Sequence, residues 1–190
     1  MKKSIALVMM AVLLVAASVM GTLAYLTSTD SVKNTFTVGK VAITLDEADV
    51  DVYGKPIKDA TRVQANEYKL IPGHAYTKDP TVHFAAGSEA SWLFVKVENG
   101  IADIEAGTKI ADQIIGNGWT ALTGVTGVYY MNVAANNTAA AIDYPVFGTF
   151  KLTDDANVAN YATANVTVNA YAIQADGFTT ADAAWAKFSN

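Results

Sequence analysis

Two histidines, His74 and His83, are the chain's whole supply of imidazole, and no cysteine accompanies them. A zinc hydrolase needs three protein ligands, a position for water and a nearby general base. An HExxH pair is absent. Asp79 is the carboxylate placed to join the two histidines, but Pro80 and a turn lie between it and His83. No spacing makes the three converge, so His74 and His83 read as surface residues, with metal-assisted proteolysis through them as the alternative. No catalytic residue, metal ligand or cofactor-binding residue is assigned.

Other chemistries fare no better. Gly87-Ser88-Glu89 reads as a turn, because the Gly-x-Ser-x-Gly elbow of serine hydrolases is missing. Gly116-Asn-Gly118 and Gly124-Val-Thr-Gly127 sit at turns without the lysine of a phosphate loop. Asp46, Glu47, Asp49 and Asp51 form the densest acidic cluster, yet lack the glycine-punctuated spacing of an EF-hand and read as a solvated loop. Trp92, Phe94, Tyr129, Tyr130 and Tyr171 could line a sugar-binding face. At strand spacing such residues more often form core or cross-strand pairs.

The elements that would position these residues are mostly strands. Thr35 to Leu45 is β-branched and alternating, with Gly39 at an expected bulge. Asp46 to Gln64 reads as a long loop or irregular hairpin, and Tyr68 to Ile71 as a strand ending at the Pro72-Gly73 turn. Thr81–Ala85 and Trp92–Glu98 are two more strands, the second alternating Leu93, Val95 and Val97 with Trp92, Phe94 and Lys96. Ile110, Ile114 and Ile115 have helical spacing within 104–116. Strands are expected at Trp119–Leu122, Val128–Val133, Pro145–Leu152 and Val166–Ala175. Ala134 to Ala141 reads as an exposed loop. Asp154 or Asp155 is expected to cap a short helix to about Tyr161, and Thr180 a last helix through Trp185. Many short strands with helices only as connections and a tail imply a mainly β fold. The expected form is a jelly-roll-like antiparallel β-sandwich with short connecting helices and a C-terminal helix.

The N-terminus differs in character. Lys2 and Lys3 precede the uncharged apolar run Ser4 to Met20, and Gly21-Thr22-Leu23-Ala24 then offers small residues to a peptidase. Residues 1–24 therefore read as a signal peptide cut between Ala24 and Tyr25, with Gly21 as a weaker site. A retained anchor is the rival reading, since the run is near the lower length limit for spanning a bilayer. A pilin-type leader fits less well, because the run holds no acidic residue. Without residues 1–24 the chain carries 11 basic against 18 acidic residues, a net charge of −7. That balance argues against nucleic acid and anionic lipid as partners. Membrane contact is expected only through the uncleaved signal. An exported chain without disulfides is held together by its core or by assembly.

Taken together, several segments resemble the TasA/camelysin family of secreted matrix-fibre proteins of Gram-positive bacteria. They are Gly21-Thr-Leu-Ala-Tyr-Leu-Thr-Ser-Thr-Asp30, Asn34-Thr-Phe-Thr-Val-Gly-Lys-Val-Ala-Ile-Thr-Leu-Asp-Glu47, Leu70-Ile-Pro-Gly-His-Ala-Tyr-Thr-Lys-Asp-Pro-Thr-Val82, Trp92-Leu-Phe-Val-Lys-Val-Glu98 and Ala170-Tyr-Ala-Ile-Gln-Ala-Asp-Gly-Phe178. The likeness spans nearly the whole chain, in turn and strand signatures rather than chemistry. It implies a jelly-roll subunit in the extracellular matrix or at the cell surface, cut by a SipW-type signal peptidase and polymerising with itself or with related matrix-fibre subunits. It further implies that residues 25–35 act as a donor strand on the next subunit, with 36–190 as the β-sandwich. The donor residues would be Tyr25, Leu26, Thr27, Ser28, Thr29, Asp30, Ser31 and Val32, in a stretch free of Gly and Pro. An ordinary edge strand or a frayed terminus is the plainer reading of the same residues. The camelysin name also carries the secreted metalloprotease alternative, and the aromatic residues carry a carbohydrate-binding one.

Overall fold

The structure, a computed structural model, describes residues 39–189. Among these residues nine strands form three antiparallel sheets. In chain order the strands are β1 (Ile43–Asp46), β2 (Ala75–Thr77), β3 (Thr81–Phe84), β4 (Ser91–Asn99), β5 (Thr120–Ala121), β6 (Val128–Val133), β7 (Ile142–Pro145), β8 (Thr149–Lys151) and β9 (Val166–Gln174). The sheets have the orders β1-β3-β7, β2-β8 and β5-β6-β4-β9. Among the described residues helix is confined to α1 (Ile110–Gly116), α2 (Ala181–Trp185) and two 3-10 turns, Ala102–Ile104 and Val158–Tyr161. The fold is mainly β and antiparallel, as the strand pattern implies.

The main core lies between the sheets. β4 gives it Leu93, Val95 and Val97, β3 gives Val82 and Phe84, and β2 and β8 add the stacked pair Tyr76 and Phe150, 4.7 Å between ring centroids. β4 is buried on both faces. Its other face sends Phe94 into a second, smaller core under α2, whose Trp185 lies 5.3 Å from Phe94 and 5.3 Å from Tyr171. The hydroxyl of Thr180 accepts the Ala183 N–H at 3.3 Å, which starts that helix where the capping pattern places it.

Several expectations need correction. β1 is shorter than Thr35–Leu45: residues 39–42 lie outside the ladder, with the Lys40 and Ala42 carbonyls accepting the Glu89 and Ala85 N–H groups, and 35–38 fall outside the described residues. Tyr68 to Ile71 is not a strand; Tyr68 is committed instead to the core, its hydroxyl donating to the Thr77 carbonyl at 3.0 Å. Pro145–Leu152 is not one strand: Pro145 ends β7, Thr149–Lys151 is β8 in another sheet, and Val146 and Phe147 are both buried where the chain crosses between them. The Ala134–Ala141 loop is not simply exposed, since Asn136 is fully buried and donates to the Phe84 and Ala140 carbonyls. The Asp154-Asp155 helix is replaced by the 3-10 turn Val158–Tyr161, which no side chain caps. The Asp46–Gln64 stretch is an irregular hairpin, as one of its readings has it, closed by the Glu47–Val63 and Val50–Pro56 bridges.

Candidate functional site

A sheet edge is a row of unpaired N–H and C=O groups, and what a protein does with its edges is a functional question. Two edges lie side by side here. β1 ends one sheet and β9 ends another, and among the described residues neither has a strand on its outer side. They run in opposite directions. A Cβ built on Gly39, just before β1, would lie 3.6 Å from Gln174 Oε1 at the end of β9. At the other end Ile43 to Glu47 face Asn165 to Val168 across an open cleft of about 630 Å³.

Apolar side chains that belong to a core reach this cleft. Ile43 and Leu45 of β1 and Val166 and Val168 of β9 line it, packed against the main core yet only half-buried. The cleft continues into a second hollow of about 470 Å³ at the start of β9. Its walls include Tyr68, Leu70, Phe150, Val158 and Tyr161, with Ile101 behind them.

One charged pair sits where the two hollows meet. Lys78 Nζ donates to Glu47 Oε2 at 2.6 Å, with side-chain exposures of 11% and 5%. Asn66 Nδ2 holds the other carboxylate oxygen at 2.9 Å and also reaches the Ala48 carbonyl at 2.8 Å. Lys78 Nζ lies 5.9 Å from the centre of the Tyr68 ring. Burial, with the Glu47 and Asp79 charges adding to it, pushes the Tyr68 phenol far above its ordinary range. The pair thus ties the hairpin after β1 to the segment before β3.

A second network covers the outer side of β1-β3-β7. His83 is registered between Thr44 and Asp143. Its Nδ1 lies 2.6 Å from Asp143 Oδ1 and its Nε2 2.8 Å from Asp46 Oδ1. Arg62 also bonds Asp46 and reaches Asp79 Oδ2 at 3.0 Å. Burial works to lower the His83 pKa, but hydrogen bonds to the two carboxylates outweigh it and the imidazole is held above its ordinary value. Burial likewise works to raise Asp46, and the bonds from Arg62 and His83 overcome it, so that carboxyl is held low.

His74 is separately engaged, with Nε2 2.9 Å from the Tyr53 carbonyl and its ring edge-on to Tyr76. The structure gives the two histidines different partners, and Asp79 turns to Arg62 and the Ala48 N–H. Among the described residues no group of three or more His, Asp or Glu is arranged to hold a metal ion. The acidic cluster disperses: Asp46 to His83 and Arg62, Glu47 to Lys78, and Asp51 to the Tyr53 and Lys55 N–H groups of its own turn. Ser88 is buried and bonded to the Ala42 backbone. Of the aromatic residues, Trp92, Phe94, Tyr130 and Tyr171 pack with Trp185 and Phe188 in the core under α2, and Tyr129 packs on the main core. Ala24, Tyr25 and the donor segment 25–32 lie outside the described residues.

Sequence reasoning missed the cleft, Lys78–Glu47 and the hollow at Tyr161. Half-polar strands such as Val166–Gln174 were the available signal, but which strands become edges depends on distant pairings. No family model, no curated protein and no solved structure matches the chain.

Proposed function

We propose that the chain is a secreted structural subunit of extracellular, biofilm-type fibres, without catalytic residues. In this reading removal of residues 1–24 frees a strand-forming N-terminus, and that segment adds to the sheet edges of another copy. The signal-like N-terminus, the β-rich domain without cysteine and the family resemblance support it. The observation that carries it is the cleft between β1 and β9, each the last strand of its sheet among the described residues, where half-buried core side chains adjoin. An added strand bonds through its main chain and is specified by alternate side chains. The jelly-roll connectivity and the SipW-type processing enzyme belong to the same proposal.

The test is electron microscopy of the secreted chain beginning at Tyr25, beside a form with residues retained ahead of it. Fibres from the first and few or none from the second are the expected result. Monomers from both at high concentration would defeat the proposal.

A further inference from the structure

We propose that Lys78 and Asn66 become joined by an amide bond between their side chains, with Glu47 carrying the protons. The bond forms once in each chain, and it does not depend on whether the chain builds fibres.

The three groups that such a bond needs meet at one carboxylate. Lys78 Nζ donates to Glu47 Oε2 at 2.6 Å, and Asn66 Nδ2 donates to Glu47 Oε1 at 2.9 Å. Amine and carboxamide are therefore neighbours across Glu47. Among the described residues this is the one place where an amine and a side-chain amide share a carboxylate. Asn99 bonds Glu105 without an amine beside it, and Lys96 pairs with Glu98 without an amide.

The Asn66 amide is held one way round. Its Nδ2 faces two acceptors, Glu47 Oε1 and the Ala48 carbonyl at 2.8 Å, and its Oδ1 accepts the Val50 N–H at 3.0 Å. A flip would set oxygen against oxygen and N–H against N–H. The Val50 donor thus sits on the oxygen that gains charge when the amide carbon is attacked, as an oxyanion donor does. Holding amine and amide in one nearly buried site also replaces a bimolecular encounter by an intramolecular one.

The step balances within these three side chains. Glu47 Oε2 takes a proton from the Lys78 ammonium, and Nζ swings through the lysine torsions onto Asn66 Cγ. The Nζ–Cγ bond forms as the carbonyl electron pair moves to Oδ1. Glu47 then gives its proton to Nδ2 and takes a second from Nζ. The Cγ–Nδ2 bond breaks, its electron pair leaves with ammonia, and the carbonyl re-forms as an amide. Ammonia carries the last proton from Glu47 away as ammonium, so Glu47 ends as it began. The ion pair described above is the state before the bond forms, and its contribution to stability belongs to that state. In a chain without cysteine the product is a covalent tie that closes residues 66–78.

The test follows the intact mass and the tryptic peptides of the purified full chain, kept folded at neutral pH. A mass lower by one ammonia is expected. Val63–Lys69 should stay joined to Leu70–Lys96, because trypsin does not cut after an acylated Lys78. Glu47→Gln and Lys78→Arg should keep the full mass and release separate peptides. A parent chain at full mass, with Val63–Lys69 free after prolonged incubation, would overturn the inference whatever the variants do. Loss of ammonia without the joined peptide would overturn it too, since Asn99-Gly100 and Asn117-Gly118 shed ammonia when they close to succinimides. The joined peptide from Glu47→Gln would overturn the proton role given to Glu47.

Discussion

Lys78 reaches Glu47 at 2.6 Å with both side chains almost out of solvent, and the pair continues the join between β1 and β3 beyond the last ladder partners, Asp46 and Thr81. Removing one partner leaves the other charge buried. Lys78→Ala is therefore expected to cost about 3 kcal/mol in urea unfolding. The double variant Lys78→Met, Glu47→Gln should recover much of that loss, since Asn66 still bonds the residue 47 side chain. A single variant as stable as the parent would show that the pair is not coupled to folding.

Gly54 separates two costs that are usually mixed. Its φ is 76°, and a Cβ there would lie 2.8 Å from the Tyr76 Cα. Gly124 has a similar φ of 78° with nothing within 4 Å of a built Cβ. Gly124→Ala should lose about 1 kcal/mol from the backbone alone, and Gly54→Ala about 3 kcal/mol because the hairpin must lift from β2. Equal losses in thermal unfolding would remove the close approach from the explanation.

His83 predicts a pH dependence. The groups facing it are Asp46 from β1 and Asp143 from β7, with Arg62 on Asp46 and Asp79 beside it. Its folded pKa is raised, so its stabilisation is fully present below the unfolded value of about 6.5 and is lost as pH rises through the folded value. Asp46 is lowered, so its contribution is present above its unfolded value and is lost as pH falls through the folded one. The gap in melting temperature between the parent and His83→Asn should be widest near pH 5 to 6 and shrink on the alkaline side. A gap that grows above pH 7 would reverse the assignment.

Trp185 closes the second core. It touches Phe94, Tyr171 and Phe188, and only 9% of it is exposed. Trp185→Ala is expected to lose about 3 kcal/mol and to expose the Phe94 face of β4 to a hydrophobic dye. Unchanged unfolding would mean that α2 is a detachable tail.

What the sequence shows and hides follows from the range of each interaction. β4, β6 and the Thr180 cap are legible because alternation and capping are set by neighbours in the chain. The crossing at Val146 and Phe147 is not, since two adjacent buried residues look like one continuous strand. Asn136 reads as a loop residue until Phe84 supplies its partner from 52 positions away. The cleft is hidden for the same reason: that β9 pairs with β4 alone and β1 with β3 alone among the described residues is set by pairings distant in the chain. The segments read as signal peptide and donor strand lie outside the described residues.

The edges of β1 and β9 can be followed directly by amide hydrogen exchange of the chain beginning at Tyr25, as monomer and in the fibres proposed for it. A strand added to these edges should slow exchange across Ile43–Asp46 or Val166–Gln174 on assembly, while β4, already paired on both sides, changes little. Fibres in which both edges exchange as fast as in the monomer would contradict docking at this cleft.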